Sequence, residues 1–114
     1  MPFTRKQRQI IKDRSRGMCD WCGRAIGKKQ LIAAHLIHQQ GPGSNFENAR
    51  AHCKRCEAEY HLQHVTSPGE IGLTRKENDA MAYGHFMSLE QMERLALQNK
   101  YPENVAYLVK EFED

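Results

Sequence analysis

A chain of 114 residues is long enough for one compact domain and too short for two of ordinary size. Its hydrophobic fraction of 39% lies below the roughly 45–50% of globular chains, a count that includes glycine, so the core is thin and a staple such as a metal is expected. The net charge of +3 conceals an asymmetry: residues 1–56 hold 12 Lys and Arg against 3 Asp and Glu, while residues 57–114 hold 5 against 11. No run approaches the ~18 apolar residues of a membrane span. Nor does an apolar stretch follow the basic N-terminus, as a secretory signal requires. The expectation is a cytoplasmic protein with no membrane partner. A basic first half suits a polyanion, of which nucleic acid is the commonest, because Lys and Arg release counterions from phosphates.

Thr4 followed by Gln7 forms a capping box and predicts a helix over 5–16. Arg5, Lys6, Arg8, Lys12, Arg14 and Arg16 make it strongly basic. Ile10 and Ile11 leave it a narrow apolar stripe, and Gly17 ends it. Residues 31–37 form a short apolar run with β-branched members and read as a buried strand. Residues 39–45, rich in Gly, Pro, Ser and Asn, read as a loop. A helix is expected over 54–64, and a linker from Val65 to Leu73. Thr74 with Glu77 predicts a helix over 75–83, and Ser88 with Gln91 one over 89–98. Pro102, at a first-turn position, opens a last helix over 102–113. Two helical stripes run along this tail: Leu89, Met92, Leu95 and Ala96, then Val105, Leu108, Val109 and Phe112. They pack on each other or on the parent domain, or else serve as the face for a second copy or a protein partner.

The four cysteines fall into two Cys-x-x-Cys pairs, Cys19 with Cys22 and Cys53 with Cys56. Two intervening residues let both thiolates of a pair reach one ion from a tight turn. Two such turns supply a tetrahedron of soft ligands, which suits a structural zinc. A cytosolic chain argues against disulfides. A redox motif needs only one pair.

Between the pairs stand His35, His38, Asn45 and Asn48; directly after them come Glu57, Glu59, His61 and His64. Glu57 and His61 are four apart, hence on one helix face, where a carboxylate and an imidazole can share a divalent metal. His52, His64 and His85 read as surface or supporting residues.

The span from Gly17 to His64 resembles the HNH endonucleases. The matching elements are Cys19-Asp20-Trp21-Cys22-Gly23, then Ala34-His35-Leu36-Ile37, then Gly41-Pro42-Gly43. They continue as Asn48 five residues before Cys53, and Cys56-Glu57-Ala58-Glu59-Tyr60-His61. The resemblance implies an α+β fold: a small zinc-stapled ββα-metal core over 17–65, preceded by a basic helix over 1–16 and followed by a linker and helical acidic tail over 66–114. It implies a phage or prokaryotic nuclease hydrolysing phosphodiester bonds in double-stranded DNA. His35 would be the general base, and Asn48 would hold its ring or loop. Glu57 and His61 would ligate catalytic Mg²⁺, Mn²⁺ or another divalent ion. Arg5, Arg8, Lys12, Lys28, Lys29, Arg50, Lys54 and Arg55 would contact phosphates without reading bases. Two positions depart from the family. Ala34 stands where an Asp, Glu or His usually binds the metal, and Glu57 where a His or Asn is usual. These departures favour the alternative, an inactive HNH-fold module that binds DNA or a protein partner.

Overall fold

The computed structural model describes residues 4–34, 49–66 and 74–113. His35, His38, Asn45, Asn48 and the predicted loop over 39–45 lie outside them. The described residues make a small α+β protein of five α-helices and one two-stranded sheet. Those up to Cys56 belong to one compact unit, and those from Glu57 onward to a second.

In the first unit, α1 spans Arg5–Arg14. Its capping box is formed in full: Gln7 N donates to Thr4 Oγ1 at 3.1 Å, and Thr4 N donates to Gln7 Oε1 at 3.0 Å. The helix stops two residues before the expected 16. Ser15 turns its hydroxyl onto the Lys12 carbonyl at 2.7 Å. Arg16 and Gly17 then both take positive φ, 58° and 77°, which reverses the chain. Gly17 suits this position because only glycine adopts such a φ without strain. Its carbonyl accepts from both Ile26 N and Gly27 N at 3.0 Å. Ile11 is fully buried while Ile10 stays exposed, so the apolar stripe is one residue wide.

After a 3₁₀ turn at Lys28–Gln30, β1 (Ile32–Ala34) pairs antiparallel with β2 (Arg50–His52). The register sets Ile32 opposite His52, Ala33 opposite Ala51 and Ala34 opposite Arg50. The remainder of the predicted strand lies outside the described residues. β2 was not legible in the sequence, because Arg-Ala-His is too short to show a period. Arg14 donates to the Ala49 carbonyl at 3.0 Å and fixes α1 to the entry of β2. The small core joins Ile11, Leu31, Ala49 and Ala51 with Cys19, Cys53 and Cys56.

Helix α2 (Lys54–Gln63) follows β2 directly and runs from the first unit into the second. In the second unit, α3 spans Arg75–Met87, α4 Gln91–Lys100 and α5 Pro102–Glu113. The Thr74–Glu77 capping box is present on both sides. The expected Ser88–Gln91 box is not. Helix α3 continues through Gly84, and Ser88 becomes its C-cap, with its N–H on the Gly84 carbonyl and its hydroxyl on that of His85. Glu90, which makes no side-chain cap bond, is the residue that opens α4.

Ala58, Leu62, Val65, Ala82, Phe86, Leu89, Leu97, Val105 and Leu108 form the core of this unit. The predicted stripes are only half buried: Met92, Leu95 and Val109 face outward, and Leu97 takes the inward place on α4. Buried and half-buried polar groups secure the end of α2. Asn104 Nδ2 donates to the Leu62 carbonyl at 2.6 Å, and Asn78 Nδ2 to that of His64 at 3.0 Å. Asp79 accepts from Thr66 N at 2.8 Å and from the Tyr107 hydroxyl at 3.0 Å.

Candidate metal centres

The first cysteine pair sits on a knuckle. Cys19 N donates to the Arg24 carbonyl, Gly23 N returns to the Cys19 carbonyl, and Met18 bridges to Ala25. The second pair spans the exit of β2 and the first turn of α2. Asp20 joins the two. Its Oδ2 accepts from Ala51 N at 2.9 Å and its N–H donates to the Ala51 carbonyl at 2.7 Å. Asp20 was not singled out in the sequence, because a side-chain bond to a strand 31 residues away has no local signature.

All four sulfurs come within 4.8 Å of one another, and all four cysteines are free of disulfides. Cys22 Sγ lies 3.8 Å from Cys53 Sγ. Four sulfurs each about 2.3 Å from one zinc stand about 3.8 Å apart, whereas a disulfide would bring two of them to about 2.05 Å. Three backbone N–H groups, of Trp21, Cys22 and Cys53, point at Cys19 Sγ from 3.4, 3.5 and 3.3 Å. Such donors stabilise a thiolate. Burial raises the Cys19 thiol, but these N–H groups outweigh it and lower the pKa below its ordinary value. Burial likewise pushes Cys22 up, while the Arg24 backbone and the neighbouring thiols bring it down to about 7. Cys56 is pushed far upward by burial and by the thiols of Cys53 and Cys22. Four acids packed so closely cannot all ionise without a cation among them. The donor set therefore fits a structural metal such as zinc, held by Cys19, Cys22, Cys53 and Cys56.

Arg5, Arg8, Lys12, Lys28 and Lys29 line one open groove, together with Gln9 and Asp13. Five of the eight cations expected to contact phosphates thus share a face of the first unit. Lys28 spends part of its charge on Asp13 at 2.9 Å. Arg50 turns its guanidinium onto the Ala49 carbonyl at 2.8 Å. Lys54 and Arg55 open α2 and do not line this groove. Trp21 packs edge-on against His52, with ring centroids 5.4 Å apart.

A second cluster lies wholly within the second unit. Glu57 Oε1 and His61 Nε2 are 2.9 Å apart, and both residues are buried, at 3% and 7% exposure. His85 of α3 stacks its ring on His61, with centroids 4.9 Å apart and planes 14° from parallel. Burial, together with the neighbouring His61, lowers the His85 pKa below the ordinary imidazole value, against the pull of Glu57. A lowered pKa leaves a neutral ring with a lone pair. The sequence reads His85 as a surface or supporting residue and not as a ligand, because no spacing rule reaches across the linker to a second helix.

Comparison of the chain with protein-family models, curated proteins and solved structures returns no match. No helix among the described residues is long and apolar enough to cross a membrane.

Proposed function

We propose that the protein is a metal-dependent DNA endonuclease of the HNH type. The observation that carries this reading is the five-cation groove, in the same unit as a four-cysteine cluster that fastens a strand–strand–helix sequence. The described part of strand β1 runs to Ala34, the residue before His35 in the sequence. Duplex DNA would lie against Arg5, Arg8, Lys12, Lys28 and Lys29 through its phosphates, with Arg50, Lys54 and Arg55 adding to the basic field. His35 would take a proton from a water whose oxygen attacks phosphorus. The bond to the 3′ oxygen would break, leaving a 5′-phosphate and a 3′-hydroxyl. Asn48 would orient His35. Glu57 and His61 would supply ligands for the divalent ion, whose chemistry when bound is to neutralise charge on the scissile phosphate and the leaving oxygen.

One observation favours the inactive module that binds DNA or a protein partner. Ala34, buried opposite Arg50, offers no donor where the family usually has one. Supercoiled plasmid incubated with Mg²⁺, Mn²⁺, Ni²⁺ or chelator decides between the two. Metal-dependent nicking that falls about 10²–10⁴-fold in His35→Ala, with DNA binding retained, supports the nuclease. Plasmid that stays supercoiled with every metal, while salt-sensitive DNA binding persists, supports the module.

A further inference from the structure

Glu57, His61 and His85 converge from two helices that the sequence separates by a linker. We propose that these three side chains form a second metal site, for a divalent transition ion of the zinc class, that ties α3 to α2. It shares Glu57 and His61 with the divalent ion of the nuclease reading and adds a ligand and a role: His85 lies outside the span that resembles the HNH family, and the site can anchor two helices whether or not the chain cleaves DNA.

Three donors, one from each residue, lie within 4.8 Å of one another. Nitrogen and oxygen donors about 2.0–2.2 Å from one zinc stand about 3.4 Å apart. The 2.9 Å between Glu57 Oε1 and His61 Nε2 is already inside that span, so only the His85 donor has to close in. His85 stacks face to face on His61, so the two rings are already in contact, and a turn of the His85 ring is what would aim its in-plane lone pair at the shared ion.

The alternative is a hydrogen-bonded triad without metal. His61 Nδ1 is buried and without a hydrogen-bond partner among the described residues whether Nε2 faces Glu57 or an ion, so that atom does not separate the two. The burial of the donors does: Glu57 and His61 are 3% and 7% exposed, and a cation offers a carboxylate and imidazoles held so far from water a common partner. The same two helices bury Ala58, Leu62, Ala82 and Phe86 in one core, so the elements that carry the three donors are packed together.

The donor set also states which ion. Two imidazoles and one carboxylate, with a fourth place for water, suit Zn²⁺ and its neighbours Co²⁺ and Ni²⁺. Mg²⁺ and Ca²⁺ prefer oxygen ligands and are disfavoured.

Elemental analysis of the full chain, loaded with Zn²⁺ and freed of loose metal by gel filtration, tests the site. Two zinc ions per chain are expected in the wild type and one in His85→Phe. Phenylalanine keeps a ring to stack on His61 but removes the nitrogens. Cobalt loading should retain the intense thiolate bands of the cysteine site in that variant and lose the weaker nitrogen–oxygen bands. One zinc in the wild type, or two in both proteins, overturns the proposal. A readout without any variant guards against a misfolded His85→Phe. In the wild type, the ring nitrogen resonances of His61 and His85 should shift together as the second equivalent of Zn²⁺ is added, and an unmoved His85 overturns the site. Plasmid nicking enters neither readout, so failure of the nuclease reading and failure of this site are told apart.

Discussion

Single side chains decide how the second unit holds together. Asp79 is 2% exposed, and its two oxygens accept from Thr66 N and the Tyr107 hydroxyl. Thr66 has a φ of 67°, so the chain leaving α2 is held in a left-handed turn that this carboxylate closes. The Tyr107 phenol is correspondingly harder to ionise than usual, chiefly because it donates to Asp79. Asp79→Ala removes the acceptor from both donors. Leaving them unsatisfied should cost about 2–3 kcal/mol, a fall in the melting midpoint of roughly 10–20 °C for a unit of this size. Asp79→Asn keeps one carbonyl oxygen and should recover part of the loss. Differential scanning calorimetry of the two variants checks the order, and an unshifted midpoint in Asp79→Ala would show that the pairing contributes nothing net. None of this was visible in the sequence. Asp79 carries no local signal there, and the partner on α5 lies 28 residues away.

At the scale of elements, α1 carries its charges against its own interest. The first turn of a helix presents unsatisfied N–H groups and favours anions, yet here it holds Arg5, Lys6 and Arg8 and no acidic residue. Charges placed where they weaken the helix call for another use, and the groove shared with Lys28 and Lys29 supplies one. Reversing Arg5, Arg8 and Lys12 to Glu should weaken duplex DNA binding and reduce the slope of log affinity on log salt by about 3. The change places anions at positions 5 and 8, where the helix N-terminus favours them, and one at position 12 in the last turn, where it does not. The effects oppose, so helicity should be roughly kept and lost binding cannot be ascribed to a melted helix. Fluorescence anisotropy over a salt series, beside circular dichroism, measures both. Unchanged binding would remove nucleic acid from this face. Elements with local signals were legible in advance. Both threonine capping boxes form as their spacing dictates, since a box needs only four consecutive residues. The serine box failed for an equally local reason: Gly84 does not stop α3, which therefore reaches Ser88 and uses it as a C-cap.

On the scale of the whole chain, the change of charge and the change of unit fall at the same place. The sequence is basic through residue 56 and acidic from 57, and the two compact units divide between Cys56 and Glu57. The units differ in what holds them. Among the described residues, the first buries Ile11 and Leu31 as its large apolar side chains, in a core otherwise made of Ala49, Ala51 and cysteines. At roughly 1.5–3 kcal/mol for each large buried side chain, those two offset only a small part of the entropy of ordering the described segments. The second buries Leu62, Phe86, Leu89, Leu97, Val105 and Leu108, a larger apolar core. Metal removal should therefore act unequally. Chelation at neutral pH should unfold residues 17–34 and 49–56, because metal binding and folding are coupled where the core is this small. Helices α3, α4 and α5 should remain, weakened by the loss of any ion at Glu57, His61 and His85 but kept by their apolar contacts. Backbone amide spectra should then show resonances of the first unit collapsing while those of α3–α5 persist. Cys53→Ser should reproduce that pattern without chelator, and added Zn²⁺ should restore the wild type but not the variant. A first unit that keeps its dispersed resonances in the metal-free protein would refute the staple and leave the four sulfurs without a structural role.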